Sequence, residues 1–82
     1  MKLNVKIYGA GSIGNHYAHA CINENWNVTI YDKDIKALIR TKKFIYPLRY
    51  KNWNKKINLI SKDDNFFYDL IIVGTPPDSH LK

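Results

Sequence analysis

Three glycines near the start of the chain have the spacing of a phosphate-binding loop. They are Gly9, Gly11 and Gly14. We expect Gly9 to permit a tight turn, Gly11 to let the backbone approach a pyrophosphate, and Gly14 to let a helix pack closely on a strand. Phosphates would then bind at the first helical turn, where backbone N–H groups lack partners. The spacing alone is a weak signal, so its value depends on the elements around it.

The rest of the loop and one later carboxylate complete the predicted site. Ala10, Ser12 and Ile13 lie between the glycines, and Ser12 and Ile13 would supply N–H donors. Asp32 lies 18 residues after Gly14, where a carboxylate can accept hydrogen bonds from the ribose hydroxyls of an adenosine. Its charge favours NAD over NADP.

Two neighbouring cations leave the choice between NAD and NADP open, and Asp32 has an alternative structural role. Lys33 and Arg40 could accept a 2′-phosphate, which keeps NADP open. A helix cap or turn is the alternative role for Asp32.

The pattern of elements places the glycine loop between a strand and a helix. Leu3–Tyr8 alternates like a strand, and Ile13, Tyr17, Ala20 and Cys21 have the spacing of a buried helical stripe that closes near Asn23–Asn27. Asp34 is expected to cap a second helix reaching about Thr41. Its stripe would consist of apolar residues at helical spacing: Ile35, Leu38 and Ile39.

Three further strands are predicted, at Val28–Tyr31, Ile57–Ile60 and Leu70–Val73. Phe44–Lys56 is ambiguous and is expected to be a loop with one turn of helix. A brief helix could begin at Asp63 and carry Phe66 and Phe67. Strands alternating with helices predict an α/β, Rossmann-like parallel sheet of order 3-2-1-4, with three layers that are incompletely covered. In such a sheet ligands bind at the carboxyl ends of the strands.

Composition excludes several classes of protein. The 82 residues are 45% hydrophobic, so the chain should fold, and its length suits one domain. Its single cysteine, Cys21, excludes an internal disulfide and is expected in the core. His16 and His19 could share a helix face but are too few for zinc. With no 18-residue apolar stretch and no signal peptide, we expect a cytoplasmic protein without a membrane contact.

Positive charge is concentrated in the middle of the chain. Nine of the 13 basic residues lie between Lys36 and Lys62, and none of the seven acidic residues does. Interleaved aromatic residues would also suit a nucleic-acid surface. A solvated face that attracts anions is the more economical interpretation, so nucleic acid is the least favoured partner.

The segment that follows the last strand resembles a known family. Asp69–His80 runs Asp-Leu-Ile-Ile-Val-Gly-Thr-Pro-Pro-Asp-Ser-His. Joined to the glycine loop and Asp32, it resembles the N-terminal half of the glucose–fructose oxidoreductase / inositol dehydrogenase / rhizopine-catabolism oxidoreductase family. Gly74 stands where that family often has alanine. The resemblance implies an NAD(P)-dependent oxidoreductase acting on sugars or cyclitols. It also implies that the ribose and nicotinamide side of the pocket is lined by Thr75, Pro76, Pro77 and His80.

The chain departs from the family in what it lacks. Nothing in it matches the family's Glu-Lys-Pro motif, and the C-terminal substrate domain is absent. We therefore expect residues 1–82 to form one partial dinucleotide-binding domain, with no catalytic residue and no turnover by itself. The alternative is a stand-alone nucleotide-binding or regulatory module of the same fold.

The strand Leu70–Val73 is expected to lack cover, because both main helices should lie on one face of the sheet. A bare apolar edge favours pairing or association. We expect either a homodimer or a continuation of the chain to bury it.

Overall fold

The fold is a parallel sheet with its helices on one face. The computed structural model describes residues 2–74. Its strands are β1 (Asn4–Tyr8), β2 (Asn27–Tyr31), β3 (Ile57–Ile60) and β4 (Leu70–Val73), and their order is β3-β2-β1-β4. All neighbouring strands are parallel, with Val5 opposite both Val28 and Leu70. The predicted α/β class and strand order are therefore confirmed, whereas no helix of residues 2–74 forms the predicted third layer.

Helix α1 (Ser12–Asn23) connects β1 to β2 and ends where Asn25 adopts a positive φ of 63°. Its buried residues are Gly14, Asn15, Ala18 and Cys21. The predicted stripe was wrong for Ile13 and Tyr17, whose exposed fractions are 45% and 42%, and for Ala20, which is also exposed. The face containing Gly14 packs inward instead, because only a glycine lets α1 come this close to the sheet.

Asp34 caps the second helix as predicted, by accepting a hydrogen bond from the Lys36 N–H at 3.0 Å. Helix α2 (Ile35–Arg40) buries Leu38 but leaves Ile35 and Ile39 largely exposed. The chain then stays helical, through a π-helical turn (Thr41–Ile45) and α3 (Tyr46–Tyr50). The segment Phe44–Lys56, predicted as a loop with one turn of helix, is therefore helical up to Tyr50 and irregular from Lys51 to Lys56. Pro47 is compatible with a helix here because it lies in the first turn of α3.

The core lies between the helices and one sheet face. Val5, Ile7, Val28 and Ile30 are at most 2% exposed there, and Ala18, Leu38 and Tyr46 pack over them. The opposite face carries no helix among residues 2–74. The predicted helix at Asp63 is absent, because the carboxylates of Asp63 and Asp64 bind Lys6 on the sheet. Edge strand β4 leaves Ile71 and Val73 more than half exposed, as expected for an uncovered edge.

Candidate functional site

The glycine loop lies at the carboxyl end of β1, between the ends of β2 and β4. Gly9 has a positive φ of 107° and donates its N–H to the Tyr31 carbonyl at 2.8 Å. That backbone conformation strongly favours glycine, so the tight turn predicted at Gly9 is present. The turn directs the chain over the sheet and into α1.

Gly14 and Gly74 are required by close backbone packing. A Cβ on Gly14 would overlap the Gly9 carbonyl oxygen, and a Cβ on Gly74 would stand 2.9 Å from the Gly14 Cα. The departure from alanine at position 74 thus has a steric reason in this chain. Gly14 in α1 therefore lies against both Gly9 in the loop and Gly74, which follows β4.

Gly11 differs because no atom in the described part of the chain requires it to be glycine. A Cβ built there meets nothing within 4 Å, and its φ of −87° is open to other residues. Gly11 is the N-cap of α1, with no side-chain capping bond and no acidic residue in the first turn. Among residues 2–74, the space next to this helix terminus, which carries partial positive charge, is therefore open.

Asp32 joins the end of β2 to this loop. One carboxylate oxygen accepts the Ala10 N–H at 3.0 Å, and the other accepts the Asp34 N–H at 2.9 Å. The turn role considered for Asp32 is therefore present together with a contact to the glycine loop. Each carboxylate oxygen can accept more than one hydrogen bond, which leaves capacity for a ligand hydroxyl.

A concavity of about 190 Å³ adjoins Asp32. Gly9 and Lys33 form part of its wall, and the rings of Tyr8 and Tyr31, with centroids 5.4 Å apart, form another part. The exposed Lys33 side chain follows Asp32 directly. Of the predicted residues, Gly9, Asp32 and Lys33 share this cavity, and Ala10 is tied to it through Asp32.

Two buried polar side chains beneath the loop were not predicted. Thr41, fully buried, donates its hydroxyl to the Ala10 carbonyl. Asn15, also fully buried, donates from its carboxamide to the Gly11 carbonyl at 2.7 Å and to Thr41 Oγ1 at 3.1 Å. Thr41 lies three residues after the buried Leu38 and therefore on the same side of the helix, and this spacing could have indicated that it is buried. Together these side chains fix the carbonyl groups of the loop.

Arg49 was also missed, because in the sequence it is only one of nine cations. Its Nη2 lies 2.7 Å from Ser12 Oγ and its Nη1 lies 3.4 Å from the Ser12 carbonyl oxygen. A guanidinium from α3 therefore stands beside the first turn of α1. The other predicted loop residue, Ile13, is half exposed in the same turn.

Among the predicted residues that the structure describes, Arg40 does not line this site. Thr75, Pro76, Pro77 and His80 lie outside the described residues. Arg40, proposed as a possible 2′-phosphate partner, is exposed at the end of α2.

His19 packs in an aromatic cluster away from the loop, stacked on Tyr50 at 3.7 Å between ring centroids. Burial raises the pKa of the Cys21 thiol, consistent with a core residue. In the range 2–74, no three His, Cys, Asp or Glu side chains are grouped closely enough to hold a metal ion.

The basic stretch forms a second surface at the outer edge of the sheet. Lys42, Trp53 and Lys55 line a groove of about 440 Å³ beside β3. Trp53 is partly buried and packs edge-on against Tyr46, with centroids 5.3 Å apart.

None of the helices formed by residues 2–74 has the length and hydrophobicity of a membrane span.

Comparison with known proteins yields no relative: no protein-family model, no curated protein and no solved structure matches the chain.

Proposed function

We propose that this chain binds a dinucleotide at the glycine loop, NAD in preference to NADP, as the cofactor-binding part of a sugar- or cyclitol-type oxidoreductase. The observation that carries the proposal is Gly11. Protein contacts or backbone conformation account for Gly9, Gly14 and Gly74, whereas a Cβ on Gly11 would meet no atom of residues 2–74. A pyrophosphate bound against that backbone supplies the missing reason for a residue without Cβ.

The neighbouring groups suit the rest of such a ligand. The N–H groups in the first turn of α1 would bind the phosphates, because they have no side-chain partner and lie at the positive end of the helix. Asp32 would bind the adenosine ribose with its remaining lone pairs, and its negative charge disfavours a 2′-phosphate. The bound nicotinamide would supply hydride chemistry, and this chain's residues bind and orient it.

The test is calorimetric titration of the chain with NAD, NADH, NADP and NADPH. We expect saturable binding that is tighter for NAD(H) than for NADP(H). Gly11→Ala should weaken NAD binding by about tenfold or more, because the methyl group occupies the space of the diphosphate. The same substitution should leave the free energy of unfolding within about 0.5 kcal/mol of wild type, since the methyl meets no protein atom.

Two results would defeat the proposal. One is a flat titration with all four dinucleotides; the other is NAD binding that Gly11→Ala leaves unchanged. A parallel titration with ATP, ADP and AMP separates the dinucleotide reading from a module for another adenine nucleotide, which would bind one of these more tightly than NAD.

A further inference from the structure

The helical segment after β2 returns to the glycine loop at two points. Thr41 binds the Ala10 carbonyl from below, and Arg49 contacts Ser12 at the rim. In an uninterrupted α-helix, residues eight apart point in directions that differ by about 80°. The π-helical turn between them rotates less per residue, which brings both side chains towards α1. Such turns are often found at functional sites.

Arg49 has no carboxylate partner within residues 2–74. The ion pairs in that range are those of Lys6 with Asp63 and with Asp64. The guanidinium stands instead beside the N-terminus of α1, which has no acidic residue in its first turn. Two positive groups therefore lie side by side, an arrangement that an anion between them would stabilise.

Asn15 provides an independent indication that a hydrogen-bond donor is bound at this loop. It is fully buried in the first turns of α1, and its carboxamide lies against the loop carbonyls of Ala10 and Gly11. Its Oδ1 has no hydrogen-bond partner in the described part of the chain. Because a buried acceptor without a donor is costly, a bound water or a hydroxyl of the ligand is expected to donate to it, since phosphate oxygens are themselves acceptors.

We infer that Arg49 binds the diphosphate of the ligand and holds it against Gly11 and Ser12. This inference rests on the proposed dinucleotide site and adds to it a cation that comes from α3. Two guanidinium N–H groups contact Ser12, and the remaining ones have no partner within residues 2–74, so they can donate to phosphate oxygens. The Ser12 hydroxyl accepts from Arg49, so its own hydrogen is free to donate to the same phosphates.

The experiment compares ligands with and without phosphate on variants at one position. NAD, ADP and adenosine are titrated by heteronuclear NMR into wild type, Arg49→Ala, Arg49→Gln and Arg49→Lys, with the dispersed spectrum as the check on folding. We expect Arg49→Ala and Arg49→Gln to weaken NAD and ADP by about tenfold or more, the effect of losing a charged hydrogen bond. Adenosine should change by less than about twofold, and Arg49→Lys should fall between, since lysine keeps the charge without the fork.

Lys56→Ala is the matched control. It removes the same charge from the turn before β3, at the opposite end of the sheet from the loop, and should change NAD affinity by less than about twofold. Equal effects of Arg49→Gln and Lys56→Ala on NAD and ADP would overturn the inference and leave the proposed function standing. Failure of wild type to bind either NAD or ADP would overturn both.

Discussion

The two faces of the sheet are stabilised in different ways. On the helix face, Val5 and Ile7 are fully buried. The buried polar side chains on this side, Asn15 and Thr41, are neutral and donate hydrogen bonds to the carbonyl groups of the loop. On the other face, the intervening residue Lys6 is only 3% exposed and carries a charge. Its ammonium group binds Asp63 and Asp64, with Nζ also 5.3 Å and 5.0 Å from the ring centroids of Tyr8 and Tyr68.

This difference implies a different dependence on pH. Burial alone would lower the pKa of Lys6, but hydrogen bonds and charge from the two aspartates outweigh it and raise that pKa above its ordinary range. The hydrogen bond from Lys6 lowers the pKa of Asp63 and of Asp64. The helix face has no comparable ion pair in the described residues. Solution pH should therefore act first on the segment that covers the opposite face.

The largest effect should come from the helix face. Gly14→Ala is expected to lower the free energy of unfolding by about 3 kcal/mol, because the new Cβ overlaps the Gly9 carbonyl oxygen and neither backbone segment can give way easily. Chemical denaturation measures it, with Gly11→Ala as the matched control in the same loop. If both variants were equally stable, the close packing of α1 on the loop would be refuted.

The next largest effect on stability should depend on acid pH. Asp63 and Asp64 have lowered pKa values in the fold, so their stabilising effect is complete above the ordinary aspartate pKa and is lost as pH falls through the lowered values. Lys6→Met should lower the melting temperature at pH 7 by several degrees and flatten its dependence on pH below about pH 4. Thermal melts across pH measure this.

Lys6 has a raised pKa in the fold, so its contribution to the free energy of unfolding is present at neutral pH. That contribution is lost only at alkaline pH, as pH rises through the pKa of Lys6 in the folded state. Between these limits the Lys6 cluster should be insensitive to pH. An acid dependence as steep in Lys6→Met as in wild type would show that other carboxylates are responsible.

A smaller effect is expected beneath the loop. Thr41→Val should cost about 1–2 kcal/mol at every pH, because it removes the donor to the Ala10 carbonyl and the acceptor for Asn15. Thr41→Ser should restore most of that loss, since it keeps the hydroxyl. Urea denaturation at two pH values provides the measurement, and a loss that varied with pH would contradict the contrast between the faces.

The smallest effect on stability should come from an exposed residue near the sheet face opposite the helices. Phe67 is 80% exposed, so Phe67→Ser should leave the free energy of unfolding within about 0.5 kcal/mol. A loss as large as that of Thr41→Val, growing with protein concentration, would instead indicate that a second copy buries this face.

Local patterns predicted the regular part of the fold. The strands Ile57–Ile60 and Leu70–Val73 were predicted with the observed bounds, and Asp34 was identified as a cap. Such features depend on residues close together in the chain. The extent of helix within Phe44–Lys56 could not be predicted, because it depends on packing of Tyr46 and Trp53 against the body of the protein.

The sequence by itself determined the parallel sheet, its strand order and the meeting of the glycine loop with Asp32, because periodicity and crossover handedness are local or nearly universal. Only the tertiary structure decided which glycines are sterically required, that Lys6 is buried among carboxylates and tyrosines, and that Arg49 and Thr41 approach the loop. Those features depend on atoms distant in sequence coming within a few ångströms of one another, which no spacing of residue types encodes.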